Sequence, residues 1–325
     1  MLIRWGRYKR NATRGGVTFG VCIKPGMDLK PHIEQNLRKT EARRFETEIT
    51  PVGLVAGDDE CYEMFHRVFN AVVQRSHEGR EAPGVTAQPI LLDPHKVRET
   101  SDVDPAGKYV VHTIVEARRN LATIALGPGA NSNDRREVEQ ILTTAACGAS
   151  ESDLEDEEED ETGGGNRGEQ LSEGLVSPNN GSYYPMPESW SYAAVQNGMS
   201  PDKYAQLMTR GLCFKKCVEP LEVAAGYGRD FPDARGCYLS DDERCYMWVN
   251  QEDHCRLFVQ VPSADVQAGF VRWCGAMESL ESGVKRQGAS WSRHNMLGYV
   301  TCCPSLVGTG GFRVTVRMRT PLLCR

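Results

Sequence analysis

The chain has 325 residues, 40% of them hydrophobic and 25% charged, which is enough material for one large domain or two modest ones with a sizeable core. No apolar run approaches the ~18 residues needed to cross a bilayer, and the mean hydropathy is −0.47, so a membrane-spanning helix is excluded. The net charge of −6 is local: residues 151–161 carry nine acids, and without them the chain holds 38 basic and 35 acidic residues, a balance too neutral for a nucleic-acid binder.

In chain order, the first feature is a basic start, with Arg4, Arg7, Lys9, Arg10 and Arg14 and no acid in 1–16. It reads either as the relic of a transit peptide or as a basic first segment of the fold. Residues 59–75 place Tyr62, Phe65, Phe69, Val72 and Val73 mostly at three- and four-residue steps behind Asp58 and Asp59, an amphipathic helix with capping acids. Residues 76–106, rich in Pro, Gly and charge, read as a linker with a domain boundary near Asp104, and 108–115 suits a buried strand. A second helix is expected over 134–147. The composition then shifts to ESDLEDEEEDETGGGNRGEQ, which has too little apolar area to offset its ordering entropy and is expected to be a solvated insert over about 148–182, dispensable for folding.

Beyond it the pattern predicts a helix over 201–210, strands over 245–249 and 255–261, a long helix over 266–285 and strands over 297–303 and 312–318. That order indicates an α+β fold on a largely antiparallel sheet. The twelve cysteines are scattered without a secretory signal, so reduced thiols in an intracellular protein are expected, with no structural metal at Cys213 and Cys217. There is no Walker loop and no dinucleotide fingerprint, and glycines 308, 310 and 311 precede no helix signal that would make a phosphate cradle.

Four segments, VGLVAGDDECYEMF at 52–65, GYGRDFPDARG at 226–236, WVNQEDHCRLF at 248–258 and LGYVTCCPSLVGTGG at 297–311, resemble in this order the phosphagen kinases, the ATP:guanidino phosphotransferases that include creatine kinase and arginine kinase. VGLVAGDDECYEMF at 52–65 is similar to the family's VGxVAGDEESYExF, and GYGRDFPDARG at 226–236 to its ARDWPDARG. WVNQEDHCRLF at 248–258 resembles WVNEEDHLR, and LGYVTCCPSLVGTGG at 297–311 resembles the LGYxxTCPSNLGTG block. The resemblance implies a small helical N-terminal domain over 1–103, and a larger antiparallel sheet flanked by helices over 104–325 that the acidic insert interrupts.

The resemblance also implies a chemistry, the transfer of the γ-phosphoryl of MgATP to a guanidinium, catalysed by positioning and by cations around the phosphates. By that resemblance Glu252 stands as the carboxylate that orients the guanidinium, and Cys303 as the reactive thiol, with Ser305 two residues on. Arg119, Arg256 and Arg313 stand as phosphate-binding arginines, and Gly26 and Met27 lie in the loop that closes over the guanidino substrate.

Other positions depart from the family. Its SSRVRTGR reads HTIVEARR at 112–119, so Ile114 and Glu116 replace two phosphate-facing arginines; Leu239 replaces a nucleotide-contacting histidine; and Gln251 replaces an acid. An extra residue in the GTGG stretch shifts Arg313 by one position, which on a strand would turn it to the other face. Two functions are therefore expected in competition. One is an inactive pseudoenzyme without cofactor, working through other protein subunits or self-association; the other is an active kinase using MgATP. The early end of the chain after the strand at 312–318 favours a covering partner. The compartment, cytoplasmic or mitochondrial, stays open.

Overall fold

The computed structural model describes residues 8, 10–28, 52–77, 104, 106–147 and 181–319. The acidic run and most of the expected linker lie outside them. Six strands form one antiparallel sheet: β1 (Val110–Arg119), β2 (Gly181–Pro185), β3 (Gly236–Ser240), β4 (Cys245–Val249), β5 (Cys255–Val261) and β8 (Arg313–Met318), in the spatial order β2-β3-β4-β5-β1-β8. A two-residue pair, β6 (Arg293–His294) and β7 (Gly298–Tyr299), stands apart. This is the α+β architecture that the sequence implies. No helix among the described residues is long and apolar enough to cross a membrane.

The helices are α1 (Phe19–Asp28), α2 (Cys61–Met64), α3 (His66–Ser76), α4 (Ser132–Cys147), α5 (Pro201–Thr209), α6 (Pro220–Ala225) and α7 (Val266–Arg286). Local chemistry explains their starts. Ser200 caps α5 by accepting from the Lys203 amide at 3.2 Å, with Pro201 in the first turn. Asp265 caps α7 by accepting from the Ala268 amide at 2.8 Å. On α7 the buried Trp273, Cys274, Met277, Leu280 and Val284 recur at one- to four-residue steps and form one face.

The two faces of the sheet are buried differently. On one face, Val115, Ala117, Met247, Leu257 and Val259 pack against α4 and α7. Gly269 lets α7 approach closely, since a Cβ there would stand 3.2 Å from Val115 Cγ2. On the other face Leu239, Tyr246 and Phe258 form an apolar layer with Leu207, Leu212 and Phe214, and the Tyr246 and Phe258 rings stack at 4.5 Å. A third core draws Phe19, Cys22, Tyr62, Phe65 and Phe69 together with Tyr227, Leu297, Val300 and Cys302, so the N-terminal segment packs on the loops that follow the long helix.

Three of the predicted elements differ in the structure. The helix over 59–75 is broken at Phe65, whose ring is fully buried against Tyr8 and Phe19. The strand over 297–303 is reduced to Gly298–Tyr299. The backbone beyond it is spent on tertiary bonds: Thr301 O accepts from Tyr62 Oη, and Cys302 O accepts from the Ala56 amide, each at 2.8 Å. Finally, β1 runs four residues past the expected end, because Glu116, Arg118 and Arg119 are charged and yet buried.

Candidate functional site

The charged groups converge where β1, β5 and β8 lie side by side. In the antiparallel register Glu116 is opposite Phe258 on β5 and Arg313 on β8, and Arg118 is opposite Arg256. Directly opposed residues share a face, so Glu116, Arg118, Arg256 and Arg313 all project from one side of the sheet. Two loops border them: 250–254 between β4 and β5, carrying Glu252 and Asp253, and 300–307, carrying Cys303.

Glu116 is the centre of the first group. Its side chain is only 5% exposed. Arg256 Nη2 donates to both its oxygens, at 2.8 and 2.9 Å, and Arg313 Nε donates at 2.9 Å with a further bond from Nη2. Burial pushes this carboxyl up, but the two guanidinia outweigh it and hold it below the ordinary range. Arg256 is fixed from a second direction, its Cζ lying 5.1 Å from the Trp248 ring centroid and 4.9 Å from that of Phe258. The displacement of Arg313 to the other face does not occur, since its register opposite Glu116 keeps it beside Arg256.

Arg118, which sequence reasoning missed, anchors the second group. Its Nη2 is 3.8 Å from Glu252 Oε2 and its Nε is 3.5 Å from Asp253 Oδ2. Burial lowers its pKa, and the carboxylates of Glu252, Asp253 and Glu116 more than reverse that. Asp253 is a structural hub: its Oδ1 accepts from Asn120 Nδ2 at 2.8 Å and from the Cys302 amide at 2.7 Å. The neighbouring His254 has a set tautomer. Its Nδ1 accepts from the Leu121 amide at 3.0 Å, so Nε2 donates to Ala125 O at 2.9 Å, and burial keeps the ring neutral.

The third arginine named from the sequence does not join the other two. Arg119 points to the opposite face, where its Cζ lies 3.6 Å from the Tyr299 ring centroid and 5.8 Å from that of Trp273, and its Nη1 donates to Arg118 O at 2.7 Å and Thr309 O at 3.1 Å. Grouping it with Arg256 and Arg313 is corrected on that ground, because odd and even positions of a strand face opposite ways.

Gly26 and Met27 also need correcting as a loop, since both lie in the last turn of α1. Gly26 closes against Gly53, its amide donating to Gly53 O at 3.0 Å, and a Cβ there would stand 2.6 Å from that oxygen. Met27 is 59% exposed. Leu239, in the histidine position, is buried in the apolar layer.

Cys303 lies beside the carboxylates of Glu252 and Asp253 as well as Arg118. Its Sγ is 3.0 Å from Ser305 Oγ. Burial pushes the thiol up, Ser305 opposes this, and Glu252 and Asp253 add to the rise, so it is a neutral thiol at physiological pH. Alkylation of Cys303 by iodoacetamide at neutral pH, followed by mass spectrometry of its peptide, should therefore run well below the rate of an unperturbed cysteine of pKa about 8.5. Equal or faster labelling would contradict this account of the thiol.

Taken together, Arg118, Arg256 and Arg313 face Glu116, Glu252 and Asp253. Among these six groups three cations stand against three anions.

Comparison with known proteins gives a consistent picture. Residues 5–74 match the family model of the ATP:guanido phosphotransferase N-terminal domain, and residues 173–325 match that of the C-terminal catalytic domain. Over 311 residues the chain is 31% identical to the flagellar creatine kinase of Strongylocentrotus purpuratus, which covers 96% of this chain but only 22% of that protein. The chain thus spans about a fifth of the length of that curated relative. Among solved structures, lombricine kinase superposes with a TM-score of 0.70 at 26% identity, covering 95% of this chain and 69% of that one. The substrate-free duplicated taurocyamine kinase of Schistosoma mansoni gives 0.70 at 21% identity, covering 98% and 36%, a likeness of fold alone.

Proposed function

Since the chain belongs to the ATP:guanido phosphotransferase, or phosphagen kinase, family, we propose that it is a member whose phosphate site is closed from within, a pseudoenzyme serving as a structural or interaction subunit of a larger intracellular assembly. The observation that carries this reading is Glu116, a buried carboxylate held by the same two arginines that would be needed for phosphates. A polyphosphate entering beside it would meet repulsion worth several kcal/mol in a partly desolvated cleft. It would also have to break two charge-assisted contacts. The residues present therefore do not fit MgATP.

Calorimetric titration of the full chain with ATP, with and without magnesium, tests the proposal. No binding tighter than about millimolar is expected, since a uniform loss of several kcal/mol is worth orders of magnitude in affinity. A micromolar dissociation constant would overturn it.

One observation favours the active alternative: Glu252 keeps 21% of its side chain exposed next to Cys303. In that reading Glu252 orients the guanidino substrate, and Glu252→Gln abolishes phosphotransfer from MgATP to arginine or creatine. Transfer that survives this change would remove Glu252 from the site.

A further inference from the structure

Glu116 and Arg118 are two residues apart on β1, so a single strand projects an anion and a cation onto the same face. Glu116 fills the arginine half of the site. Arg118 lies against the other half, 3.8 Å from Glu252 and 3.5 Å from Asp253, with 4% of its side chain exposed. The two carboxylates are not equivalent. Asp253 already accepts from Asn120 and from the Cys302 amide and is 1% exposed, so it holds the loop in place. Glu252 is the one with access to solvent, at 21%.

A carboxylate reaching into a partly desolvated cleft is the group that recognises a guanidinium, through paired, planar N–H donors. Arg118 brings that group to it covalently. The backbone around it leaves room: Gly311, with φ +63°, stands where a Cβ would lie 3.1 Å from Arg118 Nη1.

We propose that Arg118 is a tethered occupant of the cleft, a guanidinium supplied by the chain itself that takes the place beside Glu252 that a free guanidino ligand would take. The inference rests on the reading that the cleft is closed from within and extends it from the phosphate half to the carboxylate half. Arg118 acts here as a positioning residue: it holds Glu252, excludes competing cations and links the two charged groups.

The test is chemical replacement of the missing side chain. Methylguanidinium is titrated calorimetrically into the intact chain, into Arg118→Ala and into Arg118→Ala/Glu252→Gln, and each protein is also titrated with MgATP. Arg118→Ala should bind methylguanidinium about tenfold or more tightly than the unaltered chain, about 1.4 kcal/mol, and the double variant should lose the gain. A merely structural arginine would not create binding that depends on Glu252. A folded Arg118→Ala with no gain overturns the proposal.

Should Arg118→Ala fail to fold, nitrogen-15 NMR of the arginine side chains in the intact chain decides the matter. Slowed guanidinium rotation at Arg118 that is released in Glu252→Gln supports the proposal, and rotation unaffected by that change overturns it. The MgATP titrations keep the two readings separate. Micromolar MgATP binding by the unaltered chain, together with a Glu252-dependent gain in Arg118→Ala, sinks the pseudoenzyme reading and leaves this one standing. Absence of both sinks only this one.

Discussion

Replacing Glu116 with alanine is expected to destabilise the protein by about 3–5 kcal/mol and, at the same time, to create an anion site. The cost follows from what is left behind. Arg256 would lose its carboxylate while remaining beside Arg118, and breaking a buried ion pair by removing one partner leaves uncompensated charge. Inorganic phosphate or sulfate should then restore part of the loss, because a ligand that binds only the folded state stabilises it by mass action. Urea unfolding of the unaltered chain and of Glu116→Ala, in phosphate and in chloride at matched ionic strength, measures both effects. A loss below about 1 kcal/mol, or no phosphate-specific recovery, would mean that the three guanidinia do not depend on Glu116.

The same residue sets a pH dependence whose direction follows from its depressed carboxyl. A group with a folded pKa below its unfolded value contributes stability that is complete above the unfolded value, about 4.3 for glutamate. That contribution is lost as pH falls through the lower, folded value. The stability difference between the unaltered chain and Glu116→Gln should therefore be constant near neutrality and shrink only in acid. Shrinkage already at pH 6 would assign it to a different group.

The parts of the fold that were legible in the sequence are those whose burial has a simple period. The strands Cys245–Val249 and Cys255–Val261 and the long helix from Val266 read directly from their apolar spacing. The strand Gly236–Ser240 is buried on both faces and shows no alternation, and Gly181–Pro185 follows the polar insert without an apolar run to announce it.

The site was legible by residue type but not by direction. Motif similarity pointed to Glu252, Arg256, Arg313 and Cys303, which the fold gathers on one side of the sheet. The period of two along β1 carried the signal that separates Arg118 from Arg119. Reading 114, 116 and 118 as one face would have joined Arg118 to Glu116 and turned Arg119 away. The partnership of Glu116 with Arg256 and Arg313 needed the register between three strands distant in the chain, which no local pattern encodes.

Arg119 supplies the second large effect, and its test separates a structural arginine from a ligand-binding one. Its guanidinium is almost fully buried, lies 3.6 Å from the Tyr299 ring centroid and donates to Arg118 O and Thr309 O. Those contacts fasten the end of β1 to β7 and to the glycine turn before β8, where a Cβ on Gly310 would stand 2.3 Å from Arg118 O. Arg119→Ala would remove the stacked cation, leave both carbonyls short of a donor and open a cavity beside Trp273, a combined cost of about 3–5 kcal/mol. Because the side chain faces α7 rather than the charged cleft, the variant should behave like the unaltered chain toward ATP, and toward phosphate in the Glu116→Ala background. Urea unfolding reads the first quantity and calorimetry the second. A stability change under about 1 kcal/mol, within the range of surface substitutions, together with loss of phosphate binding in the Glu116→Ala background, would put Arg119 back among the phosphate-facing arginines and refute its placement on the helix side of the sheet.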